Sequence, residues 1–389
     1  VRTPRPLRIF FASAADVLVA GEGNGEGIIA TALIDRLVAR GHHVTACVGV
    51  DKFGERPGLR IHELDGPRDL QTLQPFLRAR RALRAFRADG GASSFDVVHA
   101  LFPNWAPGID ARAYEPLPFV LGPIVLGWHG TPRWWPLGFA LRRALNPWLL
   151  RRRRRTISAA AVLVTVGPWV RPSALHAAPA VVDVPFGVMT TEFSPSPLPS
   201  SGFVLLYVGR YDEARGVLDL ARAARSVAPE IADLKMIFVG DGPLRGELEA
   251  VARATRPATA IEVRGRVRHE DVGQLMGECS VFCMPSWGEP FGMAVIEAMS
   301  SGRAVIAADA GALAWLITEG AGGRLVPPKD VPALADAIRD IARDRGALAR
   351  MGDFNRRQAE ERYDLDVIVG RWEALYADAI DAPEAGRRR

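Results

Sequence analysis

Short apolar runs alternate with segments of helical period along almost the whole chain, and one stretch, Phe193-Ser-Pro-Ser-Pro-Leu-Pro-Ser-Ser201, interrupts the alternation. Before it come Leu7-Arg-Ile-Phe-Phe-Ala12, His43-Val-Thr-Ala-Cys-Val48, Phe95-Asp-Val-Val-His99, Phe119-Val-Leu-Gly122 and Ala161-Val-Leu-Val-Thr165. After it come Phe203-Val-Leu-Leu-Tyr-Val208, Lys235-Met-Ile-Phe-Val239, Ile261-Glu-Val263, Val281-Phe-Cys-Met284 and Ala304-Val-Ile-Ala307. Short runs of this kind suit buried strands. The segment from Gly27 to Arg40 carries apolar residues at 28, 29, 33, 34, 37 and 38, one face of a helix, and Gly41 stops it. Strands separated by helices build parallel sheets covered on both faces, because a parallel crossover needs a helix-length connection. The Pro/Ser stretch has no periodicity and reads as a linker. The fold expected is therefore α/β, with two Rossmann-like parallel-sheet domains, 1–195 and 196–360, facing across a cleft. Residues 361–389 read as a C-terminal helix and frayed tail that packs back toward the N-terminal domain. Ligands of such sheets sit beyond the carboxyl ends of the strands, so the cleft is the expected active site.

Composition narrows the classes. Hydrophobic residues make up 48% of the 389 and charged residues 24%, which excludes a disordered or fibrous chain. Three cysteines exclude a disulfide scaffold. Cys279 and Cys283 have zinc-like spacing, but no second ligand pair follows and they lie in an apolar run, so they read as buried thiols in a reducing compartment. No apolar run reaches the ~18–20 residues of a membrane-spanning helix. The run Ile9-Phe-Phe-Ala-Ser-Ala-Ala15 follows basic residues as in a signal peptide, but Asp16 cuts it short and no clear cleavage site follows. It reads as a buried first strand, and the protein is expected in the cytoplasm.

Charge is uneven. The net balance is +5, and 46 of the 49 basic residues are arginine. From Pro116 to Val182 there is no carboxylate, but there are nine arginines (Arg133, Arg142, Arg143, Arg151 to Arg155, Arg171) and five tryptophans (Trp128, Trp134, Trp135, Trp148, Trp169). Arginine with interfacial tryptophan is the chemistry of an anionic membrane surface. A solvated helical face is the plainer alternative. A nucleic-acid site is disfavoured, since no nucleic-acid motif accompanies the patch.

The densest segment is Pro285-Ser-Trp-Gly-Glu-Pro-Phe-Gly-Met-Ala-Val-Ile-Glu-Ala-Met-Ser-Ser-Gly302. A strand ends at Met284, a turn follows, and a helix is expected from near Phe291. The first N–H groups of a helix lack intrahelical acceptors and attract anions or sugar hydroxyls. Gly292 would allow a close approach to the backbone. Glu289 precedes the helix, and Glu297 lies inside it among apolar residues, where an unpaired carboxylate is expensive. Ribose hydroxyls as donors to Glu297, or a structural salt bridge, would each account for it.

The run from Glu289 to Glu297 resembles the signature of glycosyltransferase family 4, retaining sugar-nucleotide transferases of the GT-B fold. Tyr207-Val-Gly-Arg-Tyr-Asp-Glu-Ala-Arg-Gly216 resembles that family's strand-Gly-Arg segment, in which an Arg and a Lys clamp the donor diphosphate. The matching positions are Arg210 and Arg215, with arginine replacing lysine at the second. Val239-Gly-Asp-Gly-Pro243 and Val263-Arg-Gly-Arg-Val267 match further landmarks, and Val267 would lie near the nucleobase. In the N-terminal half, Gly21 to Gly27 falls where the family has a Gly-rich loop, and Gly25 and Gly27 would meet a phosphate. Leu126-Gly-Trp-His-Gly-Thr131 resembles a strand-end His-Gly, and His129 would position the donor sugar from the opposite domain; a plain loop histidine is the alternative.

The resemblance implies a hexosyltransferase-type enzyme that moves a sugar from a nucleoside-diphosphate sugar to a hydroxyl acceptor with retention. Leaving and entering groups share one face, assisted by the leaving phosphate, and no classical nucleophile is assigned. Arg210 and Arg215 would neutralise the leaving diphosphate. Glu289 and the amides of Phe291, Gly292 and Met293 would hold the sugar, and Glu297 the ribose. No cofactor and no metal are implied. The only Asp-x-Asp, Asp364-Leu-Asp366, lies far from the motifs and reads as helix-start decoration. The expected setting is cell-surface polysaccharide or glycolipid assembly, with a lipid-linked acceptor and a peripheral position on the inner face of the plasma membrane. A soluble small-molecule acceptor, another GT-B enzyme such as a sugar-nucleotide epimerase or phosphorylase, and a non-catalytic sugar-nucleotide-binding protein are the alternatives.

Overall fold

A computed structural model describes residues 5–18, 25–65, 74–103, 108–124, 139–170, 178 and 180–382. The chain divides into two compact units, Val1–Phe186 with Leu365–Arg389, and Gly187–Asp364.

In unit 1 the elements run β1 (Arg8–Leu18), α1 (Gly25–Ala39), β2 (His43–Asp51), β3 (Leu59–Glu63), α2 (Gln74–Ala88), β4 (Val97–Ala100), β5 (Phe119–Ile124), α3 (Phe139–Ala159), β6 (Val162–Thr165) and β7 (Val181–Asp183). Unit 2 contains β8 (Phe203–Val208), α4 (Val217–Val227), β9 (Leu234–Val239), α5 (Arg245–Ala254), β10 (Ile261–Arg264), α6 (His269–Glu278), β11 (Val281–Met284), α7 (Met293–Ser300), β12 (Ala304–Ala308), α8 (Leu313–Leu316), β13 (Gly323–Val326), α9 (Val331–Arg343) and α10 (Arg345–Arg362). The last helix, α11 (Leu365–Asp381), returns to unit 1.

Both sheets are parallel throughout. Their orders are β3-β2-β1-β4-β5-β6-β7 and β10-β9-β8-β11-β12-β13. Chain direction across the sheet reverses between β1 and β4 and again between β8 and β11. These are the topological switch points at which doubly wound sheets bind ligands. The central strands are buried on both faces, as their unbroken apolar runs require: β11 and β12 are buried at every position.

Three strands go beyond those read from the sequence, and all lie at sheet edges: β3, β7 and β13. Only one residue of β3 and none of β7 is buried. An edge strand needs fewer apolar residues, so its signal is weak. β1 also runs on through Asp16, whose carboxylate meets the buried Arg78 guanidinium at 2.6 Å.

The division falls at Phe186/Gly187, ahead of the 195 boundary expected from the linker. The carbonyls of Thr190 and Phe193 accept from Arg356 at 2.9 and 3.1 Å. The fully buried Arg303 donates to the carbonyl of Ser196 at 2.8 Å. The start of the Pro/Ser stretch is therefore stitched to unit 2.

In unit 1, α11 packs on α1, β4 and β5. Glu373 accepts from Arg40 at 2.7 Å and from the buried His42 at 2.9 Å. Because His42 Nδ1 accepts the Leu7 N–H, its Nε2 carries the proton that goes to Glu373. Asp366 pairs with Arg36 and Arg40. It lies in the first turn of α11, at a helix start as expected, and it also joins two helices distant in sequence. Cys279 and Cys283 are buried free thiols, and burial pushes Cys279 up to about 12.

Candidate functional site

Two segments at the β8/β11 switch point carry the expected donor residues. The first leaves β8 as Gly209 to Gly216. Asp212 caps its single 3-10 turn by accepting the Arg215 N–H. Gly216 follows with φ 64°, and a Cβ there would lie 2.3 Å from the Pro285 carbonyl oxygen. Only glycine fits so close to the second segment. That segment leaves β11 as residues 285–292. It ends at Gly292, whose φ of 95° forms the N-cap of α7. The helix starts at Met293 rather than near Phe291.

The structure brings Arg215 and Glu289 together as a direct ion pair. Glu289 is nearly buried, while about a third of the Arg215 side chain (32%) is exposed, so the guanidinium remains reachable by an anion. The Glu289 backbone is fixed as well: its carbonyl accepts the Ala312 N–H at 3.0 Å. Behind the pair, the buried Tyr207 hydroxyl donates to the Arg210 carbonyl at 2.7 Å, and burial raises its pKa.

Arg210 does not join the pair. Its side chain is 72% exposed and its Nε donates to Asp212 at 3.1 Å. Asp212 thus orients one arginine and caps the turn that carries the other. Sequence reasoning missed it, although an Asp three residues before Arg215 is a capping signal.

Glu297 is buried on α7. Burial raises its carboxyl pKa; His269 opposes that shift and Glu192 adds to it. Phe193 packs edge-on against His269 with centroids 6.0 Å apart, which ties α6 to the segment carrying Glu192. Val267 is half-buried between β10 and α6. Phe291 is buried beside Gly292. In unit 1, Gly25 is exposed and Gly27 buried in the first turn of α1. His129 lies outside the described residues, as do residues 21–24, Trp128, Trp134, Trp135, Arg133 and Arg171.

On α3 the arginine run divides. Arg153 is buried, and burial lowers its pKa, while Thr156 Oγ1 donates to the Ile109 carbonyl at 2.9 Å. Trp148, Leu150, Arg151, Arg154 and Arg155 are exposed, and Arg152 lies over the Trp148 ring at 5.4 Å.

A parallel-sheet unit with a cation–carboxylate pair at its switch point, beside a glycine-capped helix, is where a doubly wound domain binds its ligand. Residues 23–184 match the model of glycosyltransferase family 4, and residues 202–344 that of the glycosyl transferases group 1. The chain is 30% identical over 305 residues to a phosphatidyl-myo-inositol mannosyltransferase of Mycobacterium leprae, covering 76% of this chain and 75% of the relative. Sucrose-phosphate synthase from Thermosynechococcus elongatus has the same fold (TM-score 0.76, 21% identity, 97% of this chain and 100% of that one). So does Anabaena HepE, solved in complex with UDP and glucose (TM-score 0.69, 19% identity, 95% and 99%). The chain belongs to glycosyltransferase family 4. It is a glycosyltransferase of the GT-B fold.

Proposed function

We propose that this enzyme transfers a sugar, with retention, from a nucleoside-diphosphate sugar to a hydroxyl of a lipid-linked acceptor. The observation that carries the donor half is the Arg215–Glu289 pair at the β8/β11 switch point. When the bond between the anomeric carbon and the phosphate oxygen breaks, negative charge grows on the diphosphate. A preorganised guanidinium stabilises that charge without reorganisation. Arg215 takes this role, with the exposed Arg210 as second cation. Glu289 accepts from sugar hydroxyls, and the amides of Phe291, Gly292 and Met293 hold the sugar with it. Glu297 accepts from the ribose. Val267 borders the base. His129, Gly25 and Gly27 are assigned to the donor by the family resemblance alone. Departure of the phosphate and entry of the acceptor oxygen on one face would give retention, with the acceptor proton passing to the phosphate.

A lipid-linked acceptor is supported by the relative named for phosphatidyl-myo-inositol, and by the exposed Trp148, Leu150, Arg151, Arg154 and Arg155 of α3. We place the enzyme at an anionic membrane surface on the cytoplasmic side. Among the described residues, no helix is long and apolar enough to cross a membrane. We also propose that no metal is needed, since Arg210 and Arg215 supply the positive charge.

The test is a panel of nucleotide sugars read by thermal shift and by release of free nucleoside diphosphate, with and without EDTA. One base should stabilise the protein, and turnover should survive EDTA. Conversion of a nucleotide sugar without release of nucleoside diphosphate would contradict transfer. Loss in EDTA restored by Mg²⁺ would contradict metal independence.

A further inference from the structure

The side chain between the two donor segments has no role in the reading above. Trp287 sits two residues before Glu289. Its backbone N–H donates to the Ala214 carbonyl at 2.8 Å, next to Arg215. Its indole Nε1–H donates to Asp219 Oδ2 at 3.0 Å, in the first turn of α4. One residue therefore ties the Glu289 segment both to the Arg215 segment and to the α4 helix that follows it. Asp219 is nearly buried and also faces Arg222 at 3.6 Å.

Lys329 closes the arrangement. Its ammonium lies 4.1 Å from the Trp287 ring centroid. The chain has 46 arginines and only three lysines. Lys329 is also one of two non-glycine residues with positive φ among those described, at 67°. An L side chain rarely adopts that backbone unless its surroundings hold it there. A cation over the ring and a carboxylate on the indole N–H polarise the ring in the same sense, so each contact strengthens the other.

We propose that Trp287, held between Asp219 and Lys329, is a positioning residue that sets the Glu289 carboxylate against Arg215, and that it thereby governs preference for the sugar-bearing nucleotide over the nucleoside diphosphate. This rests on the reading that Glu289 engages the donor sugar. The indole bond fixes the rotation of the 285–292 turn about α4. Without it, the turn keeps its backbone bond to Ala214 but loses the constraint that aims Glu289. The Arg215 backbone stays capped by Asp212 and its charge is kept, so diphosphate binding changes much less.

The experiment compares Kd for a nucleotide sugar with Kd for its nucleoside diphosphate, using UDP-glucose with UDP or GDP-mannose with GDP, whichever pair the wild type binds. Trp287→Phe keeps the ring and loses the N–H; Asp219→Asn weakens the acceptor from the other side and serves if the first variant folds poorly. Each should weaken the nucleotide sugar by about five- to tenfold while leaving the diphosphate within about twofold. The double variant should be no worse than either single one. Lys329→Met should shift the same ratio in the same direction. Equal losses for both ligands, additive losses, or an unchanged ratio would overturn the proposal. Glu289→Gln separates the two ideas. If it weakens the nucleotide sugar relative to the diphosphate and Trp287→Phe does not, the positioning role fails and the donor reading stands. If Glu289→Gln leaves the ratio unchanged, the donor reading fails and takes this proposal with it.

Discussion

Arg36 on α1 and Asp366 on α11 form a two-point ion pair across 330 positions of sequence. Arg36 first, and then Arg40, hold the Asp366 carboxyl down at about 2. A carboxyl whose folded pKa lies below its unfolded value stabilises the fold above that unfolded value, near 3.9, and the contribution fades as pH falls toward 2. Both partners of the Arg36 pair are more than two-fifths exposed, so its worth is about 1 kcal/mol or less. Asp366→Asn should lower the urea midpoint slightly at pH 7, and the gap to wild type should close between about pH 4 and pH 2. A gap that widens in acid would contradict this.

His99 should behave in the opposite region. Its Nε2–H donates to the Gly122 carbonyl at 2.6 Å, so Nδ1 accepts from the Tyr376 hydroxyl at 2.7 Å. Full burial pushes the imidazole down to about 3. Below ~6.5 the unfolded chain binds a proton that the folded chain refuses, so stability falls with pH by up to about 1.4 kcal/mol per unit across that window. Protection of the α11 amides against hydrogen exchange should decline from about pH 6.5 downward. His99→Gln, which can still donate to Gly122 and accept from Tyr376, should flatten that decline.

The Arg215–Glu289 pair makes the two arginine variants unequal. Arg215→Ala leaves a nearly buried carboxylate without its cation and should cut kcat/KM at least about tenfold, roughly 1.4 kcal/mol of barrier. Arg215→Lys keeps the charge and should lose less. Arg210→Ala should also cut turnover about tenfold, with less effect on thermal stability, because Arg210 is exposed. Wild-type rates from Arg210→Ala would remove it from the diphosphate site.

On the membrane surface, liposome co-sedimentation at ~0.1 M salt should show binding to anionic but not neutral vesicles. Changing Arg151, Arg154 and Arg155 to Gln should weaken it, at about 1 kcal/mol per residue. Arg153→Gln is the contrasting variant: its side chain is buried, so it should affect stability more than vesicle binding. Full activity on a water-soluble acceptor with no vesicle binding would remove the idea.

How far the sequence could be read depends on where each signal lies. The central strands β8, β9, β11 and β12 were legible because burial on both faces demands consecutive apolar residues. β3, β7 and β13 were not, because an edge strand can be half polar. The family and the GT-B fold followed from the glutamate motif and the Gly-Arg segment. The partnership of Arg215 with Glu289, however, needs the adjacency of β8 and β11, which local pattern does not encode. Asp219 and Trp287 look unremarkable in sequence for the same reason. Asp366 was legible as a helix-start residue, but its ion pairs were not, because its partners on α1 lie at the other end of the chain.

The return of α11 to unit 1 bears on how the protein is made. Unit 1 is discontinuous in sequence, and the helix bearing Tyr376, Glu373 and Asp366 leaves the ribosome only after the whole of Gly187–Asp364. At about 5–20 residues per second that interval is about 10–35 s. During it, His42, His99 and the α1 arginines lack the partners they have in the finished fold. Unit 2, continuous in sequence, is complete first, and the first 186 residues wait for α11 to close their own core.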